Sequence, residues 1–124
     1  MPYSRGQIVE VNFFLPPDGE GKLHPVIILS NEEINRHESG FTAVMMTTTS
    51  PDDEYSFEIT PQMVTPIYND DIKHREVRLH LIGYFLDQDV LKNNQPRRIL
   101  KQEHLKRLVT QINEITFGFA IDVK

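Results

Sequence analysis

Hydrophobic and polar positions alternate along "GQIVEVNFF", with Ile8, Val9, Val11 and Phe13 set among Gln7, Glu10 and Asn12, which predicts a strand over about 7–13. "EVRLHLIGYFL" alternates most clearly. Val77, Leu79 and Leu81 are expected on one side, with Arg78, His80 and Ile82 on the other. "YSFEIT" reads the same way, with Tyr55, Phe57 and Ile59 sharing a face. "PVIILS" is an unbroken β-branched run bounded by turn residues and fits a central strand. "FTAVMMTTTS" predicts another strand, and "RRILK" a short one. The period then changes. Leu105, Leu108, Val109, Ile112 and Ile115 recur at helical spacing through "QEHLKRLVTQINEITF", predicting an amphipathic helix that packs on the sheet.

The connecting segments are turn-rich. "LPPDGEGKL" reads as a loop, because two prolines and two glycines oppose regular pairing. "NEEINRHESG" reads as a helical turn or loop, and "DDEY" and "DQDVLKNNQP" as turns. "PQMVTPIYNDDIKHRE" reads as a long loop with one helical turn. Five or six short strands followed by one helix define a mainly β chain: a small, mostly antiparallel barrel-like sheet with a C-terminal α-helix. At 124 residues, with no repeat or linker, one domain over 1–124 is expected.

Composition narrows the function classes. No apolar run approaches the ~18 residues of a membrane span. "MPYSRGQIVEV" has no long apolar signal segment, so a cytoplasmic location is expected. The chain has no cysteine, which excludes disulfides, thiolate metal sites and thiol nucleophiles. The net charge of −5 weighs against strong nucleic-acid affinity, but the charge is uneven. Asp52, Asp53, Glu54, Asp70 and Asp71 cluster mid-chain, while Lys92, Arg97, Arg98, Lys101, Lys106 and Arg107 cluster near the end. A local basic face is compatible with that distribution.

Few residues carry candidate chemistry. Arg78 and His80 lie two apart on a strand and so share a face; both are costly to bury unpaired, so they meet either solvent or a site. His24 precedes a proline, which holds it extended at the mouth of a strand. It is either a loop histidine or a site imidazole able to act as acid or base. Thr47 to Ser50, "TTTS", is either β-propensity with turn capping or a row of hydroxyls that binds phosphate or bases. Five histidines, His24, His37, His74, His80 and His104, include no pair at a zinc-type spacing, so no metal and no cofactor is expected.

The order of these pieces resembles the MazF/PemK toxins. The resemblance rests on the Gly6 to Val9 strand start, the Pro/Gly loop from Pro16 to Gly21, and "HPVIIL" where the family has an "RPxLVL" strand. An Asn-rich turn, Asn31 to Asn35, and a strand ending in Thr and Ser follow. "EVRLHLIGYFLDQDVL" resembles the family's long strand and its "IDxxRL"-like turn, and "LVTQINEITFGF" its closing helix. The resemblance spans nearly the whole chain and is carried by the ordered set rather than by any one motif.

It implies an SH3-like barrel that dimerises, is neutralised by an antitoxin and cuts single-stranded RNA without metal. The RNA's own 2′-OH would attack the adjacent phosphate, which needs a base, an acid and a cation for the phosphorane charge. Carried over by position, the family's "RP" arginine is His24, and the Arg-x-Asp pair of the Kid-like branch is Arg78-x-His80. The family's strand-end threonine falls on Thr48 or Thr49. The resemblance therefore assigns His24 and His80 as acid and base, Arg78 as phosphate clamp and Thr48 as a further catalytic residue, with Thr48, Thr49, Ser50 and Lys22 binding RNA. The loop over 14–22 would gate the groove through Gly19 and Gly21, with an antitoxin peptide in the same groove. Alternatively, histidine at two charged positions marks lost catalysis, and the barrel inhibits growth by binding a protein, as the related CcdB toxins bind gyrase.

Overall fold

A computed structural model describes residues 3–14, 21–47, 53–66, 75–91 and 97–118. Seven strands form one sheet in the order β4-β6-β3-β2-β1-β7-β5. They are β1 (Gln7–Phe14), β2 (Gly21–Ile28), β3 (Gly40–Thr47), β4 (Ser56–Ile59), β5 (Val64–Thr65), β6 (Arg75–Leu86) and β7 (Arg98–Leu100). All pairings are antiparallel. The two end strands, β4 and β5, are joined in sequence by a short 3-10 turn, Pro61–Met63, so the sheet curls into an incompletely closed barrel. Two helices complete the fold: α1 (Glu32–Glu38) and α2 (Gln102–Gln111), the latter running into a π-helical turn, Ile112–Thr116.

The alternation read from the sequence is what builds this sheet. Ile27, Val44, Met46, Phe57, Ile59, Val77 and Leu79 point to one face, where Leu105, Leu108 and Ile112 of the C-terminal helix seal them. Val9, Val11, Phe13, Val26, Ile28, Phe41, Ala43 and Met45 form a second cluster on the other face. Both faces of the central strands are thus buried, which explains why "PVIILS" and "FTAVMM" read as runs rather than alternations.

Three expectations are corrected. His24 lies inside β2, not in a loop: Gly21 to Leu23 are drawn into a strand by pairing with Phe14, Phe13 and Asn12 of β1. The long segment after Thr60 contains the 3-10 turn and then the two-residue strand β5. Finally, Leu81 does not share a face with Val77 and Leu79. Val44 faces Ile82 while Met46 faces Val77, so β6 bulges between these pairs and its face exchange is inverted. Ile82 packs with the helix-covered cluster and Leu81 with the other.

Local residues fix the connections. Asn31 caps α1, its side-chain oxygen accepting from Ile34 N at 3.0 Å. Gly6 has φ +89°, a left-handed conformation, and a Cβ there would lie 3.3 Å from Leu100 O. Asn35 is fully buried on α1. It donates to Tyr3 O at 2.8 Å and to Ser30 O at 3.1 Å, and accepts from Ser30 Oγ at 2.5 Å. Asn35→Ala would strand these groups, so a loss of about 1–3 kcal/mol is expected in urea unfolding, with an unchanged m value.

Candidate functional site

The polar residues singled out from the sequence meet on one face because of strand register. Val11 faces His24 and Phe13 faces Lys22 across β1–β2, which puts both polar side chains on the side of the Val9–Val11–Phe13 cluster. On β3, Met45 belongs to that cluster, so Thr47, two residues on, lies on the same face. Thr47 faces Glu76, Glu76 faces Glu58, and Arg78 faces Ser56. The apolar face therefore continues, at one end of the sheet, as a polar row from β2 across β3 and β6 to β4.

Pro25 opens this row. Leu29 N donates to Thr42 O at 2.8 Å, so the hydrogen-bonded pairs of β2 and β3 are 29 with 42, 27 with 44, and next 25 with 46. Proline has no N–H to give, and the β2–β3 ladder ends at Val26 with Met45. His24 and Thr47 flank the place where pairing stops. His24 Nε2 is sealed from solvent and has no hydrogen-bond partner among the described residues. An orphaned ring nitrogen in a polar row is a group waiting for a partner or for a half-turn of the ring, which would put Cε1 in its place.

Arg78 is held, not loose. Its Nη1 donates to Asp53 Oδ1 at 2.9 Å and to Ser56 Oγ at 2.7 Å. Asp53 Oδ1 also accepts from Tyr55 N at 3.0 Å and Ser56 Oγ at 3.3 Å, so the turn before β4 is folded around the guanidinium. The bond from Arg78 holds the Asp53 carboxyl below the usual carboxylate range. His80 sits in the β6 bulge, exposed, with its ring edge-on to Tyr55 at 5.9 Å and 73°. The Glu54 carboxylate, by hydrogen bond and charge, raises the Tyr55 phenol above its usual value, so it stays neutral.

Lys22, His24, Arg78 and His80 are thus placed, with His24 on β2 and Arg78 on β6 on one face, separated by β3. Thr48, Thr49 and Ser50 lie outside the described residues, as does most of the loop expected to gate the groove. Among the described residues, no three histidine, aspartate or glutamate side chains form a metal-binding group. No helix there is long and apolar enough to cross a membrane. Asp53, Tyr55 and Ser56 were missed from sequence. "DDEY" shows only a turn, and nothing in it announces the β4–β6 register that brings Asp53 to Arg78.

One pH prediction follows. Asp53 has a depressed pKa in the folded chain, so its link to Arg78 is fully present above the usual carboxylate range. The link is lost only as pH falls through the depressed value. An NMR titration should show Arg78 side-chain signals moving at that acid step, and Asp53→Asn should abolish the step.

A curled, mostly antiparallel sheet closed by a C-terminal helix is the architecture of MazF structures, and the comparisons agree. A mycobacterial endoribonuclease solved with its cognate antitoxin is 18% identical and superposes with a TM-score of 0.68, over 97% of this chain and 99% of that one. MazF from Deinococcus radiodurans is 15% identical, with a TM-score of 0.65 over 96% and 99%. A MazE–MazF complex from the same organism is 13% identical, with a TM-score of 0.66 over 97% and 100%. Identities this low show the fold alone. Among curated proteins, none matches the sequence. The family profile matches residues 4–116, and the chain belongs to the PemK-like, MazF-like toxins of type II toxin–antitoxin systems.

Proposed function

We propose that this chain is a toxin endoribonuclease that cleaves single-stranded RNA through its own 2′-OH, without a metal. The observation that carries the reading is the polar row, which sets His24, at the break in the β2–β3 ladder, on the same face as Arg78. One histidine, His24 or His80, takes the proton of the 2′-OH as the 2′-oxygen bonds to phosphorus. The other, protonated, gives its proton to the departing 5′-oxygen. The products are a 2′,3′-cyclic phosphate and a free 5′-OH, so atoms and charge balance. An acid and a base on separated strands suit this displacement, because attacking and leaving oxygens lie on opposite sides of phosphorus. Arg78 has Nη2 and Nε left to meet the phosphorane oxygens. Lys22, Thr48, Thr49 and Ser50 would bind the RNA strand.

The rest of the reading is a single domain over 1–124, a homodimer, a cytoplasmic location and a cognate antitoxin that blocks the groove. Solved relatives with antitoxin bound support the last part. The test is incubation of purified protein with long single-stranded RNA in EDTA, with analysis of the new ends. Cyclic phosphate ends, a bell-shaped pH profile and loss of cleavage in His24→Ala and His80→Ala are expected. No cleavage of any RNA at high protein concentration sinks the reading. A protein-binding growth inhibitor on the same barrel is the second reading, favoured by the engagement of Arg78 with Asp53. There, His24→Ala and His80→Ala would leave growth inhibition intact.

A further inference from the structure

The strand that carries Arg78 and His80 diverts one bond that its pairing calls for. Ser56 faces Arg78, and Leu79 N donates to Tyr55 O at 2.9 Å, so 55 and 79 form a hydrogen-bonded pair. In a regular antiparallel pair Tyr55 N would answer with a bond to Leu79 O. It donates instead to Asp53 Oδ1 at 3.0 Å, on the carboxylate that holds Arg78. Leu79 is fully buried, so its carbonyl needs another donor. The Thr116 hydroxyl supplies it, donating to Leu79 O.

The end of the C-terminal helix places Thr116 for this. It follows Ile112 by four positions, about one turn, in the π-helical segment Ile112–Thr116. It therefore stands on the same side as Ile112, toward the core to which Leu79 belongs. A hydroxyl on that side needs a partner. Beyond Leu79 the strand is in its bulge: register with β4 ends at Arg78, and register with β3 skips from Val77 to Ile82. The peptide group between Leu79 and His80 is thus held at its carbonyl by a side chain of the helical segment, not by a strand.

We propose that Thr116 is a positioning residue for the site: its hydroxyl replaces the ladder donor at Leu79 O, which keeps Tyr55 N on Asp53, Asp53 on Arg78, and His80 in its place in the bulge. The inference rests on the roles given above to Arg78 and His80 in RNA cleavage. Without the hydroxyl, Leu79 O would be buried and unpaired, and the donor that strand pairing offers it is Tyr55 N. Closing that bond extends the β4–β6 ladder by one rung, takes Tyr55 N from Asp53 and turns the peptide between Leu79 and His80. Arg78 then loses the turn folded around it, and His80 shifts against the Tyr55 ring that it meets edge-on. A hydroxyl that only anchored the helix would do none of this. Its loss would lower stability and leave the geometry of Arg78 and His80 unchanged.

Thr116→Val removes the hydroxyl at nearly constant volume, and Thr116→Ser keeps it. With one defined single-stranded RNA, Thr116→Val should lower kcat about 10- to 100-fold and leave KM little changed, because misplaced groups cost the chemical step rather than binding. Thr116→Ser should recover most of the rate. NMR of the free proteins gives a readout that needs no RNA. The Tyr55 amide, the Arg78 guanidinium and the His80 ring signals should move in Thr116→Val and stay in place in Thr116→Ser. Full kcat in Thr116→Val, a serine variant as slow as the valine one, or unmoved Tyr55 and Arg78 signals overturns the proposal. If the unaltered chain cuts no RNA, the nuclease reading fails, and the NMR comparison alone decides the positioning. If Thr116→Val does not fold, the unaltered chain decides. A Thr116 hydroxyl proton protected from exchange, with a deuterium isotope shift at the Leu79 carbonyl carbon, supports the bond; a freely exchanging hydroxyl overturns it.

Discussion

Arg78→Ala is expected to lower RNA cleavage by about 10²–10³-fold, the usual cost of losing one preorganised donor to a developing oxyanion. The loss should fall mainly on kcat, since the guanidinium is placed for charge that grows in the transition state. It should not come from unfolding. The Arg78 side chain is 16% exposed and Asp53 33%, so water can replace the lost partner of the carboxylate. Arg78→Lys should recover only part of the rate. An ammonium keeps the charge but cannot hold Asp53 and Ser56 while presenting a second nitrogen edge to phosphate. Asp53→Asn offers a sharper comparison, because it leaves the arginine and loosens its orientation. Single-turnover cleavage of one defined RNA, with unfolding curves for each variant, separates these effects. An Arg78→Ala enzyme that cleaves at the full rate refutes the assigned role.

Much of the fold was legible, and the errors share a cause. Period-two alternation marks β1, β4 and the start of β6, because each has one face on a core cluster and the other on a different environment: β4 and β6 on the helix-covered core, β1 on the cluster of the opposite face. The C-terminal helix is legible because Leu105, Leu108 and Ile112 face that core together. The inversion of Leu81 and Ile82 was not legible. A bulge is a relation between two strands, and it arises where β6 leaves β4 and bends along β3. Gly21 to Leu23 were misread for a similar reason, since pairing with β1 overrides weak local strand preference. β5, two residues long, carries no period at all.

The candidate site divides the same way. Arg78 and His80 stand out as cations in an alternating strand, and His24 stands out beside Pro25. What Pro25 does was hidden: its consequence depends on which edge of β2 would have donated its N–H, and that is set by the register with β3. Asp53 was hidden behind a turn signal. Its importance comes from a partner 25 positions away in the chain, reached only when β4 aligns with β6.

The largest stability loss is expected at Phe41, which lies on the face that carries His24. Its ring is fully buried, 5.7 Å from Tyr3 at 68° and 6.0 Å from Phe85 at 35°. Phe85 in turn meets Phe13 at 5.6 Å, so one chain of rings ties the N-terminal segment, β3, β6 and β1. Phe41→Ala removes the middle of that chain and leaves a cavity that strands on both sides hinder from closing. A loss of about 3–5 kcal/mol is expected, or roughly 10–20 °C in melting temperature for a chain of this size. Phe41→Leu should lose far less, since it keeps most of the volume. A Tyr3→Ala and Phe41→Ala double-mutant cycle should give a coupling of about 0.5–1.5 kcal/mol if edge-to-face contact adds to simple burial. Urea unfolding reads all three. Equal stability of the alanine and leucine variants would mean that the second cluster relaxes around a missing ring. The sheet face beneath His24 would then be too soft to hold the imidazole in register with β3, and the site would need another source of rigidity.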